Sequence, residues 1–185
     1  MNIAYILFED ITWLDFIGIY DPISRLKSLD YLPELKWDMC SYTPSVNDTF
    51  GLEVKSTAIK PDLDKYDVII VPGGLGTRKL AINTEFIEWI KTAEPVKYKI
   101  SVCTGSLILG AAGFLKNKRA TTHYNEYKTL EPYCKKVIKN RIVEDGDTIT
   151  AGGVSASIDL GLFLCNKWAG KEAEQEIRKR MDYHG

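Results

Sequence analysis

Two histidines in 185 residues, and four cysteines with no Cys-x-x-Cys pair among them, leave too few well-spaced ligands to build a zinc site. Neither a metal nor an organic cofactor is expected. No run approaches the ~18 apolar residues that a membrane span needs. The opening MNIAYILFED also lacks the basic flank and long apolar stretch of a signal peptide. These absences lead us to expect a cytoplasmic protein with no membrane partner, its thiols at Cys40, Cys103, Cys134 and Cys165 all free. Charge of one sign is missing too. Lys and Arg number 24 against 25 Asp and Glu, and no basic stripe is interleaved with aromatics, so nucleic acid is excluded as a direct partner. Repeats, low-complexity tracts and linkers are absent. What remains, 45% hydrophobic and 26% charged, is the composition of one globular domain over residues 1–185.

Within that domain, short unbroken apolar runs alternate with helical patterns. IAYILF (3–8) reads as a buried parallel strand, followed by a helix from Thr12 or Trp13 to about Ser28. KWDMCSY (36–42) and, more weakly, LEVKST (52–57) read as strands, and YDVIIVPGG (66–74) is the clearest strand of all. NTEFIEWIKTAE (83–94) predicts an amphipathic helix capped by Thr84, with Phe86, Trp89 and Ile90 on one face. YKISVC then gives another strand and TGSLILGAAGFL a helix. RATTHY (119–124) reads as a short strand end and RIVEDGDTITAGG (141–153) as a hairpin turning at Asp145-Gly146. Two helices close the chain, the first with Cys165 on an apolar stripe with Ile158, Leu162 and Ala169. This alternation predicts a flavodoxin-like α/β sandwich, a mostly parallel sheet with helices on both faces. Its functional crevice lies beyond the carboxyl ends of the strands, where FEDITWLD, PGGLGT and CTGS all finish.

Cys103 stands where a strand turns into a helix, with Gly105 two residues on to allow the tight turn. Such a corner projects the thiol from the top of the sheet toward unpaired helix N–H groups, which lower its pKa and favour a nucleophilic thiolate. The plainer reading is a small buried hydrophobe, as expected for Cys40 and Cys165; Cys134 lies in a loop with nothing to activate it. Backbone N–H groups of PGGLGT, with that of Thr104, could form an oxyanion-hole-like pocket, or PGG could be only the exit from the strand. Thr12-Trp13-Leu14-Asp15 fits a capping box, and spacing alone favours Asp15 as a cap. Its helix nevertheless starts at the crevice, where a carboxyl beside a thiolate has its pKa raised and can serve as general acid. His123 is either a partner of the thiolate or a polar residue at a surface edge, and His184 sits in the tail.

YDVIIVPGG, SVCTGSLILGAAGFLKNKRATTHY and AGGVSASIDLGL, with TWLDFIGIYDP upstream, together resemble the ThiJ/PfpI superfamily of the class I glutamine-amidotransferase-like fold. The resemblance runs over nearly the whole chain. It implies an elbow nucleophile at Cys103, an acidic partner at Asp15, backbone donors at Gly74 and Thr104, and a homodimer. Thr104 replaces the histidine that follows the cysteine in protease-like and many deglycase members, and the pattern looks most like the isonitrile hydratase branch. The same signature occurs in the amino-terminal domain of AraC-type regulators, which for this chain would mean a free-standing sensor. The resemblance thus implies a small-molecule substrate, with a glyoxalase or deglycase and a redox or ligand sensor as the alternatives.

Overall fold

The computed structural model describes all residues, 1–185. Eleven strands and seven α-helices follow one another along it. The strands are β1 (Asn2–Ile6), β2 (Lys36–Ser41), β3 (Ser45–Asn47), β4 (Glu53–Lys55), β5 (Ala58–Ile59), β6 (Val68–Val71), β7 (Tyr98–Val102), β8 (Arg119–Ala120), β9 (Lys136–Val137), β10 (Ile142–Asp145) and β11 (Thr148–Ala151). The helices are α1 (Trp13–Ser28), α2 (Gly76–Leu80), α3 (Thr84–Lys91), α4 (Gly105–Ala111), α5 (Tyr127–Leu130), α6 (Ala156–Ala169) and α7 (Lys171–Arg180).

Seven strands form one sheet in the order β10-β11-β7-β6-β1-β2-β5, parallel throughout except for the antiparallel β10–β11 hairpin at one edge. The central strands are those with unbroken apolar runs. Every residue of Val68–Val71 is fully buried, because helices cover both faces of a parallel sheet. Each such side chain contributes roughly 1.5–3 kcal/mol by leaving water. On one side α1 packs against α6 and α7, and the other layer holds α2, α3, α4 and α5. The α/β sandwich expected from the alternation is therefore the one observed.

Several local expectations need correction. LEVKST contributes only β4, which pairs with β3 in a two-stranded ribbon outside the main sheet. Helix α3 is capped by Asn83, whose side chain accepts from the Phe86 N–H at 3.0 Å; Thr84 is already its first residue. Helix α4 stops at Ala111, short of the Leu115 that the apolar run suggested.

Candidate active site

Three loops meet at the carboxyl end of the sheet, following β1, β6 and β7, as the three crevice segments required. Their closeness is fixed by backbone bonds: Thr12 N–H donates to the Gly73 carbonyl at 2.9 Å, and Ile11 bridges to Gly74.

Cys103 directly follows β7 with φ +54°, in the left-handed region where a side chain costs about 1–2 kcal/mol. Four hydrogen bonds hold it there. Its N–H is shared between the carbonyls of Ala151 (3.0 Å) and Gly152 (3.1 Å), and its carbonyl accepts from Thr122 Oγ1 (3.0 Å) and Ser106 Oγ (3.2 Å). Gly105 is required by close approach: a β-carbon there would run into the carbonyl oxygens of Val71 and Pro72. The turn is thus a strained strand-to-helix elbow with the cysteine at its corner.

Asp15 is fully buried, although it lies in the first turn of α1. The capping box is not formed. The Thr12 side chain caps nothing, and Asp15 Oδ2 instead accepts from the Gly73 N–H at 3.1 Å. The backbone of Gly73 lies between carboxyl and elbow, since a β-carbon on it would be 2.6 Å from Asp15 Oδ2 and 2.7 Å from Cys103 Cβ. Asp15 Oδ1 is sealed from solvent and meets no N–H or O–H donor. Burial pushes the Asp15 carboxyl up to about 7, against the pull of the neighbouring Cys103 thiol and of the Gly73 N–H.

The thiol does not titrate as expected. Burial, and next the neighbouring Asp15 charge, push Cys103 up to about 12, while the N–H and hydroxyl of Thr104 pull the other way. The helix terminus is outweighed because the sulfur is withdrawn from water, with Cys103 only 6% exposed. Cys40 and Cys165 are raised to about 12 by the same burial, so pKa does not set Cys103 apart. What does is the buried Asp15 carboxyl held next to it across the Gly73 backbone. Thiol with carboxylate and thiolate with carboxylic acid differ only by one proton moved between the two neighbouring groups, whose titrations are coupled.

Thr104 and Gly74 form a second pair. Gly74 N–H donates to Thr104 Oγ1 at 3.1 Å, and the same hydroxyl faces the Gly74 carbonyl at 3.2 Å. The N–H groups of Gly73 and Gly74 are both engaged, so neither is a vacant oxyanion donor. The Thr104 hydroxyl has one proton, which can go to Gly74 or to the sulfur. His123 is near the thiol but not bonded to it. A β-carbon on Gly153 would lie 2.7 Å from both Cys103 Sγ and His123 Cδ2, so the imidazole edge and the sulfur both border Gly153. His123 Nδ1 accepts from the Asn125 N–H at 3.3 Å, so the neutral ring carries its proton on Nε2. His184 pairs with Asp182 in the exposed tail, far in sequence from all of this.

Thr122, Ser106 and Gly153 were not singled out by sequence reasoning. The two hydroxyls carry no motif, and only the Gly-Gly of AGGVSAS hints at a close approach. Around the site, the sulfur opens onto none of the five principal clefts of the chain. The most voluminous of these, about 490 Å³, lies against Met1, Asp67, Tyr98 and Trp168 at the far end of the sheet. A groove of about 310 Å³ with Phe8, Tyr42, Leu80 and Phe86 in its walls runs alongside the β1 loop.

A doubly wound sheet with a strained cysteine elbow and a buried acid beside it defines the class of elbow-cysteine α/β proteins. The family follows from comparison: the DJ-1/PfpI family model matches residues 8–167, and the chain belongs to that family. It is 37% identical over 185 residues to isonitrile hydratase of Pseudomonas putida, covering 99% of this chain and 78% of that protein. It is 24% identical over 181 residues to the HTH-type transcriptional regulator CdhR of Pseudomonas aeruginosa, of which it spans 53%. Among solved structures, a ThiJ/PfpI family protein from Pseudomonas syringae superposes with a TM-score of 0.89 at 28% identity, over all of this chain and 75% of that one. DJ-1beta of Drosophila melanogaster shares the fold, with a TM-score of 0.84 at 20% identity over 100% of this chain and 98% of that one.

Proposed function

We propose that the protein is an isonitrile hydratase-like lyase that adds water to R–N≡C to give the N-formamide R–NH–CHO. The observation that carries this reading is the buried Asp15 carboxyl beside Cys103, an acid raised to about 7 that can both take and return a proton at neutral pH. The whole-chain similarity to the Pseudomonas putida isonitrile hydratase supports it. The terminal isonitrile carbon is electrophilic on attack and needs a proton afterwards. As the Cys103 sulfur adds to it, the thiol proton passes to Asp15 and from there to that carbon, leaving a thioimidate, R–N=CH–S–Cys. Water then adds to the C=N bond, its oxygen to carbon and a proton to nitrogen. As the intermediate R–NH–CH(OH)–S–Cys collapses, its hydroxyl proton passes through the Asp15 carboxylate to the departing sulfur, and the formamide leaves. Thr104 steadies the sulfur and the intermediate through its N–H and hydroxyl, Gly74 holds that hydroxyl, and no metal or organic cofactor enters. Purified protein should convert cyclohexyl isocyanide to its formamide, followed by amide absorbance, and Cys103→Ala should abolish turnover. Absence of turnover by the wild type would overturn the reading.

A sensor in which Cys103 is oxidised is the second reading, favoured by the similarity to the regulator CdhR. The deglycase alternative is disfavoured by Thr104. We also propose a cytoplasmic homodimer. On α1, Trp13, Phe16 and Ile19 are core, but Leu14 and Ile17 are exposed, as are Phe50, Leu52 and Leu75, and together they offer an apolar surface suited to a second copy. Sedimentation should give twice the 20.9 kDa of one chain at micromolar concentration. A monomer would contradict it.

A further inference from the structure

We propose that Arg78 and Glu126 determine the breadth of molecule that reaches Cys103, by tying the two walls of its crevice together. The proposal rests on Cys103 being the reactive centre. One wall holds Gly73, Gly74 and Thr104, and Arg78 is anchored to it through Nη1, which donates to the Gly74 carbonyl at 3.0 Å. Thr77 Oγ1 donates to the same carbonyl at 2.8 Å, so that end of the tie is firm. The other wall holds His123, and Glu126 belongs to it because its N–H donates to the His123 carbonyl at 2.8 Å. Between the walls Arg78 Nη2 donates to Glu126 Oε1 at 2.6 Å. The tie therefore joins residues that border the sulfur, since His123 and Sγ both lie against Gly153 and Gly74 is bonded to Thr104 next to the elbow.

With the walls joined, Cys103 is 6% exposed, which admits a slender group end-on and obstructs a broad one. A terminal isonitrile carbon bears no substituent beyond its one bond to nitrogen, and it fits such an entrance. Carbonyl adducts are branched at the attacked atom. The tie thus selects for an unbranched reacting end, whatever the rest of the molecule carries. An ion pair with a half-exposed arginine is a modest fastening, strong enough to bias access and weak enough to open.

The test compares a slender and a broad thiol reagent at Cys103, located by mass mapping. Rates with iodoacetamide and with N-phenylmaleimide, each normalised to free cysteine, are measured for wild type, Arg78→Met and Glu126→Ala, with thermal melting confirming that each variant is folded. The broad-to-slender ratio should rise by roughly fivefold in both variants, the population shift that loss of a surface ion pair allows. Added salt at about 0.5 M should raise the wild-type ratio toward theirs and leave the variants unmoved. An equal ratio in all three proteins, or a rise in one variant only, would overturn the tie. If Cys103 is labelled by neither reagent in the wild type or in either variant, the reactive-centre reading falls and the tie falls with it. Failure of isonitrile turnover alone leaves this measurement intact.

Discussion

Asp15→Asn should lower isonitrile turnover by roughly 10²- to 10⁴-fold while making the protein more stable at pH 8, a combination that a helix cap cannot produce. The rate falls because asparagine cannot relay the proton between sulfur and carbon, though its side-chain oxygen can still accept from the Gly73 N–H. Stability moves the other way because of linkage. The folded carboxyl is raised to about 7 from an ordinary 3.8, so the folded state binds the proton more tightly than the unfolded state. Its contribution to stability is fully present below the unfolded value and is lost as pH rises through about 7. At pH 8 the buried carboxylate costs at most about 4 kcal/mol, from three pH units at ~1.4 kcal/mol each, and asparagine removes that cost. Urea unfolding should show a larger gain for the variant at pH 8 than at pH 5. Wild-type kcat/KM should fall as pH drops through about 7, where the pair acquires its second proton, and this limb should vanish in the variant. Iodoacetamide should also label Cys103 faster in the variant, because the neighbouring charge that raises the thiol is gone. Full activity, or lower stability at pH 8, would refute the proton relay.

Gly105→Ala should be the most damaging single-methyl addition at the elbow. The new β-carbon meets the Val71 and Pro72 carbonyl oxygens, which belong to the last residue of β6 and its exit and cannot swing aside like a side chain. Relief requires α4 to back away from the sheet, at a cost of about 3 kcal/mol, or roughly 10 °C in melting temperature for a chain of this size. Since α4 begins two residues after Cys103, the sulfur moves with it, and a displacement of about 1 Å costs on the order of 100-fold in rate. Unchanged melting and unchanged turnover would refute this role for Gly105.

The β-branched runs at Val68–Val71 and within Tyr98–Val102 announced the central strands because a parallel sheet covered on both faces needs apolar side chains at every position. Strands such as β5, β8 and β9 have two residues each, too few for any period to show, and the sheet order depends on long crossovers that leave no local trace. At the site, Cys103 and Gly105 were legible because an elbow constrains its own few residues. Asp15 was ambiguous because its spacing satisfies two demands, and only the fold shows that Gly73 claims the carboxylate. Thr122 and Gly153 were invisible for the opposite reason: each touches the cysteine from a distant stretch of chain.

The bonds that hold Cys103 at φ +54° also fix when, during synthesis, the elbow comes into being. Its N–H is held by Ala151 and Gly152, nearly fifty residues downstream, and its carbonyl by Thr122. Until β11 has left the ribosome and taken its place beside β7, two of the four bonds that oppose the 1–2 kcal/mol by which residue 103 prefers an ordinary backbone conformation are missing. A nascent chain therefore carries an unremarkable cysteine through most of its emergence. The reactive geometry is a property of the finished molecule, acquired in one of the last steps of its assembly.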